Sequence, residues 1–111
     1  MGTPAYMPPE ILDPKAPADE RSDVFMLGAT LHEVITDRPP FAGPTLRKAL
    51  EAVAACRLPG FGPDVPPMLA DVVRRACSLD PADRFPSVVA FREALVEYDR
   101  HMAAQRAETA A

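Results

Sequence analysis

An all-α fold is predicted by three features of this chain: the clustering of its 14 prolines, the helical spacing of apolar residues between the clusters, and the lack of convincing period-two alternation. The prolines gather at positions 4 to 17, 39 to 44, 59 to 67 and 81 to 86. Proline removes a backbone donor and clashes with the preceding turn, so helices are expected in the intervals that lack it.

The first such interval leads from Val24-Phe25-Met26-Leu27 into Leu31, Val34 and Ile35. Apolar residues fall on nearly all sides, as in a helix buried on more than one face. Ser22 stands at the N-cap position and Asp23 in the first turn, where a carboxylate meets the positive end of the macrodipole. A helix over about 22 to 36 follows. Leu46, Leu50, Val53 and Ala54 predict a second, partly exposed helix between Thr45 and Arg57, and the ordinary reading of its Ala-rich stretch is solvated helix. After the loop Leu58-Pro59-Gly60-Phe61-Gly62-Pro63, Pro66 suits a first helical turn. Leu69, Val72, Val73 and Ala76 then repeat at i, i+3, i+4 and i+7, and Asp80-Pro81 ends that helix. The last helix runs from about Ser87, its candidate cap, to Tyr98, with Val88, Phe91, Leu95 and Tyr98 on one face. Residues 102 to 111 are small and polar and are expected to fray.

The 111 residues suffice for one domain, and 48% hydrophobic with 25% charged residues is ordinary for a globular fold. Twelve basic and sixteen acidic residues give a net charge of −4, which argues against a nucleic-acid surface. The longest apolar run, from Val24 to Ala29, is far short of the roughly 20 residues a membrane span needs. Met1 is followed by Gly2-Thr3-Pro4 with no basic or apolar leader, so no membrane association and a cytoplasmic location are expected. Cys56 and Cys77 are not spaced as a CxxC and read as small buried hydrophobes.

Several chemical motifs are approached and missed. His32-Glu33 begins like a zinc-protease HExxH, but Thr36 occupies the second His position, which leaves His32 as a helix-surface or core-edge residue. Gly60-Phe61-Gly62 is a lone GxG among prolines and carries no weight as a phosphate loop. Asp80 and Asp83 lie at helix ends and read as capping residues. Neither His32 nor His101 stands in a recognisable nucleophile arrangement with Ser, Cys or Asp.

Four strings nevertheless occur in a telling order: Gly2-Thr3-Pro4-Ala5-Tyr6-Met7-Pro8-Pro9-Glu10, then Ser22-Asp23-Val24-Phe25-Met26-Leu27-Gly28, then Arg38-Pro39-Pro40-Phe41, then Asp80-Pro81-Ala82-Asp83-Arg84-Phe85. Over residues 2 to about 99 they resemble the C-terminal lobe of a bacterial-type serine/threonine protein kinase, from the Ala-Pro-Glu end of the activation segment to the last helix. The resemblance implies a partial kinase-like C-lobe of about four main helices, plus a short helix after Pro-Pro-Glu. It sets a lobe fragment at 1–99 and a frayed tail at 100–111. Pro8 stands where the family usually has Ala, and Phe25 where Trp is common.

By the same resemblance Glu10 and Arg84 form an ion pair, Asp23 is the central-helix Asp that accepts hydrogen bonds from the catalytic loop, and Gly2 and Thr3 belong to the substrate pocket of a Ser/Thr kinase. Phosphoryl transfer in the intact family uses ATP and Mg²⁺ held by a Gly-rich loop, a strand Lys, a His-Arg-Asp loop and Asp-Phe-Gly. This sequence contains none of those motifs. It is therefore expected to hold no catalytic, cofactor-binding or metal-binding residue and to be inactive alone. The alternative is a stand-alone helical binding module. Expected partners are a protein substrate or the upstream kinase half, or a second copy, since faces of the 22–36 helix that the intact fold covers would be open.

Overall fold

A computed structural model describes residues 6–13, 15, 19–41, 43–56 and 58–110, without the side chains of 109 and 110. The regular structure of the described residues is helical, with no strand among them. Pro9–Leu12 form a 3-10 turn, with Pro8 extended before it. Helix α1 spans Glu20–Thr36, α2 Leu46–Ala55, α3 Pro67–Ala76 and α4 Val88–Ala110, with a further 3-10 turn at Pro81–Asp83.

Local chemistry explains the boundaries. Asp19, rather than Ser22, caps α1 by accepting the Arg21 N–H at 2.9 Å. Ser22 lies inside the helix and is buried. At the other end Asp37 takes a left-handed conformation, φ 61°, and its N–H closes on Glu33 O at 2.7 Å. Thr45 caps α2 through the Lys48 N–H, and Pro67 opens α3 directly after an extended Pro66. Helix α3 ends at Ala76, short of the Asp80-Pro81 stop expected from sequence, and Asp80 instead caps the Pro81–Asp83 turn through the Ala82 N–H at 2.9 Å.

The N-terminus of α4 has two acceptors. Ser87 Oγ takes the Ala90 N–H at 3.0 Å, and the Glu20 carboxylate, reaching across from α1, takes the Val88 N–H at 3.0 Å. This helix was expected to end near Tyr98 but continues to Ala110. No Gly or Pro follows Tyr98, and Ala, Met, Gln and Arg are strong helix formers, so nothing in the tail stops it. The long helix contributes to principal extents of 54 × 29 × 20 Å.

Helix α1 is the centre. It packs on both α3 and α4, which also touch each other, while α2 lies against the Pro9–Leu12 turn. Consecutive residues of α1 serve two cores. Phe25 and Ala29 join Phe41, Val53 and Cys77, and Val24 joins Ala76, Phe85 and Phe91. Each large apolar side chain so buried is worth about 1.5–3 kcal/mol against exposure. Phe25 stacks on Phe41 with ring centroids 5.6 Å apart, which ties the Arg38-Pro39-Pro40-Phe41 string to the central helix. Gly28 allows the closest approach of α1 to α3: a Cβ there would meet Ala76 Cβ at 2.7 Å and Cys77 Sγ at 3.0 Å.

Candidate functional site

Glu10 and Arg84, 74 residues apart in the chain, meet through two parallel hydrogen bonds. Arg84 Nη1 donates to Glu10 Oε2 at 2.6 Å and Nη2 to Oε1 at 2.8 Å. The other three N–H groups go to backbone carbonyls, with Nε on Ser78 O at 2.8 Å, Nη1 also on Arg21 O at 3.1 Å and Nη2 also on Leu79 O at 3.3 Å. A guanidinium has five donors, and all five are used. Its carbon lies 4.7 Å from the centroid of the Phe25 ring. Arg84 is only 2% exposed, so this full set of partners is what makes burial of the charge tolerable.

Glu10 is held in turn. It sits in the Pro9–Leu12 turn, and Ser22 Oγ donates to its Oε2 at 2.6 Å. Burial pushes its carboxyl up, but the hydrogen bonds from Arg84 and Ser22 and the nearby positive charge outweigh that, and the net shift is downward. Four separate pieces of chain therefore meet at this point: the Pro-Pro-Glu turn, the start of α1, the end of α3 and the loop before α4. The part played by Ser22 was missed in the sequence, where an N-cap pattern explained the residue locally.

Tyr6 supplies a second tie. Its hydroxyl donates to Glu33 Oε2 on α1, and this bond, with partial burial and the charge of Glu33, holds the phenol proton above its ordinary range. No motif signalled the pairing, because it joins two surface-type residues 27 positions apart.

Asp23 points outward. It lines a groove of about 390 Å³ with Met26, Leu27, Thr30 and Val88, and its carboxylate has no hydrogen bond or ion pair among the described residues. Met26 and Leu27 are 38% and 44% exposed, and Val34, further along α1, is 74% exposed. Gly2 and Thr3 lie outside the described residues.

His32 is neither a surface nor an edge residue. It is 1% exposed, its Nε2–H donates to Pro59 O at 3.0 Å, and its ring lies 4.9 Å from that of Phe61. The loop Leu58 to Pro63 folds over α1 and supplies a carbonyl that the sequence pattern alone could not place there. Phe61 is also covered by Arg74, 5.2 Å from its centroid, so the Gly60-Phe61-Gly62 string is a packing feature. Cys56 and Cys77 are free thiols. Among the described residues no three His, Cys, Asp or Glu side chains are grouped to hold a metal ion. No helix among them is long and apolar enough to cross a membrane.

Comparison with known proteins agrees with the order of the motifs. A family model described as the protein kinase domain matches residues 1–96. The serine/threonine-protein kinase PknD of Chlamydia trachomatis is 33% identical over 100 residues, covering 88% of this chain and 11% of that protein. PknD of Chlamydia abortus is 35% identical over 100 residues, 83% of this chain and 10% of that protein. The tyrosine-protein kinase MasK of Myxococcus xanthus is 34% identical over 93 residues, 81% of this chain and 14% of that protein. The chain thus spans about a tenth of the length of the curated relatives it matches.

Proposed function

Given that this chain belongs to the protein kinase family, we propose that it is the substrate-side, C-lobe portion of a serine/threonine kinase domain and has no phosphotransfer activity alone. The observation that carries the reading is the Glu10–Arg84 clasp, because it fastens the Pro-Pro-Glu turn to the loop before the last helix, the two ends of the resemblance. The same turn continues from the Gly2-Thr3 segment, which by resemblance shapes the substrate pocket. Both the motif order and the family match support this register.

On this reading the residues of the chain position a protein substrate and hold the helical scaffold, while ATP and Mg²⁺ are gripped by elements this sequence does not encode. Serine/threonine preference rests on Thr3 and on the names of the PknD relatives, whereas MasK is named for tyrosine. The setting proposed is the cytoplasm.

The test is a phosphotransfer assay on the purified chain, alone and mixed with a polypeptide carrying the Gly-rich loop, His-Arg-Asp and Asp-Phe-Gly. Transfer only in the mixture, with label on serine or threonine, is expected. Transfer by the chain alone would overturn the inactive reading. Label on tyrosine would overturn the specificity.

A second reading is favoured by the open groove along α1. A stand-alone binding module would use Met26, Leu27 and Val88 as its contact surface, and it would bind a protein without any gain of phosphotransfer in the mixture.

A further inference from the structure

We propose that Cys56 and Cys77 form a reversible redox pair, closing an intramolecular disulfide that pins the end of α2 to the end of α3 when the chain meets a small-molecule disulfide. Both residues terminate helices, as the C-caps of α2 and α3. Both belong to one packed cluster, in which Cys56 lies against the buried set that includes Cys77 and Phe25. Cys56 Sγ is 3.5 Å from the carbonyl oxygen of Cys77, so it already rests on the backbone of its partner residue. Among the described residues their S–H groups donate to Cys77 O and, at 3.8 Å, to Phe25 O, and such weak bonds are cheaply given up.

The chemistry is ordinary exchange. Cys56 is the more accessible thiol, and Cys77 is 4% exposed. The Cys56 thiolate attacks one sulfur of a disulfide such as oxidised glutathione, forming a mixed disulfide and expelling one glutathione thiolate. Cys77, after losing its proton, attacks Cys56 Sγ and expels the second. The two protein thiols are oxidised, one disulfide is reduced to two thiols, and the protons pass to the expelled thiolates. Burial pushes the Cys77 thiol up to about 12 and the Cys56 thiol above its ordinary range, so the exchange is slow and belongs at equilibrium rather than in a burst.

The position gives the bond a consequence. Among its stronger packing contacts α2 meets the Pro9–Leu12 turn, while α1, α3 and α4 pack on one another. A 56–77 disulfide ties α2 covalently to that three-helix unit, beside the Phe25 ring that underlies Arg84.

The experiment equilibrates the 111-residue chain with reduced and oxidised glutathione, folded and in urea, then blocks free thiols and maps peptides by mass spectrometry. The expected product is a 56–77 cross-linked peptide lacking two hydrogens and reversed by a dithiol. Its effective concentration should be about tenfold or more higher in the folded chain than in the unfolded one. Cys56→Ser and Cys77→Ser should each give no cross-link. A folded chain that stops at a glutathione adduct on Cys56, pairs between molecules, or keeps both thiols free under conditions that cross-link the unfolded chain would overturn the proposal.

Discussion

Arg84 and Glu10 form a bidentate ion pair in which the arginine side chain is fully buried and the carboxylate side chain is 9% exposed. Because the same guanidinium also binds the carbonyls of Arg21, Ser78 and Leu79, losing it would leave the Glu10 carboxylate with Ser22 but without its counter-charge and would take a donor from each of three backbone carbonyls. Arg84→Glu is expected to destabilise the chain by about 3–5 kcal/mol, read from urea denaturation midpoints. Reversing Glu10 as well should recover part of that loss. An additive double variant would show that the two residues are not coupled.

Acid should weaken the same contact. The Glu10 carboxyl titrates below its ordinary 4.5 in the folded chain, so its contribution is complete above that value and disappears as pH falls through the lower, folded-state value. Thermal denaturation followed from pH 6 down to about 3 should show a fall in midpoint that Glu10→Gln flattens. An unchanged slope in Glu10→Gln would assign the acid sensitivity to other carboxylates.

Gly28→Ala places a methyl group 2.7 Å from Ala76 Cβ. Alanine gains helix propensity of about 1 kcal/mol, but forcing α1 from α3 costs about 1–3 kcal/mol, so net destabilisation is expected. Gly60→Ala, with nothing within 4 Å of its added Cβ, serves as the control in the same denaturation series.

Asp37 closes α1 with φ 61° and places a negative charge at the negative end of the helix. Asp37→Gly removes both penalties and should stabilise the chain by about 0.5–1 kcal/mol. A lower melting temperature in this variant would reveal a contact of the Asp37 carboxylate that offsets them.

The open face of α1 should make the chain associate. Sedimentation at rising concentration is expected to show oligomers, and Leu27→Glu, placed in the groove beside Asp23, should shift them toward monomer. A wild-type chain that sediments as a monodisperse monomer and binds little hydrophobic dye would contradict this.

The helices were legible because proline clusters and i, i+3, i+4 spacing act locally, and the structure follows them to within a few residues at most ends. The errors are local too. Asp19 caps α1 where Ser22 had been expected, since two cap formers stand three positions apart and the Ser22 hydroxyl is engaged by Glu10. The tail after Tyr98 remains helical because composition marks it as small and polar without containing a stop signal. Of the clasp, the sequence offered the two residues only through motif order. Nothing in spacing alone could announce the third ligand from Ser22 or the three carbonyls.

The residues alone determined the helical class, through periodicity and proline placement, and the family resemblance, through the order of short strings; the long-range ion pair was implied only by that resemblance. Only tertiary structure decided that all five Arg84 donors are satisfied, that His32 is sealed under the 58–63 loop, and that one face of α1 stays open while the other two faces fill separate cores. Those outcomes depend on which distant backbone groups arrive at the same point, and a linear pattern carries the residue types but not their meeting places.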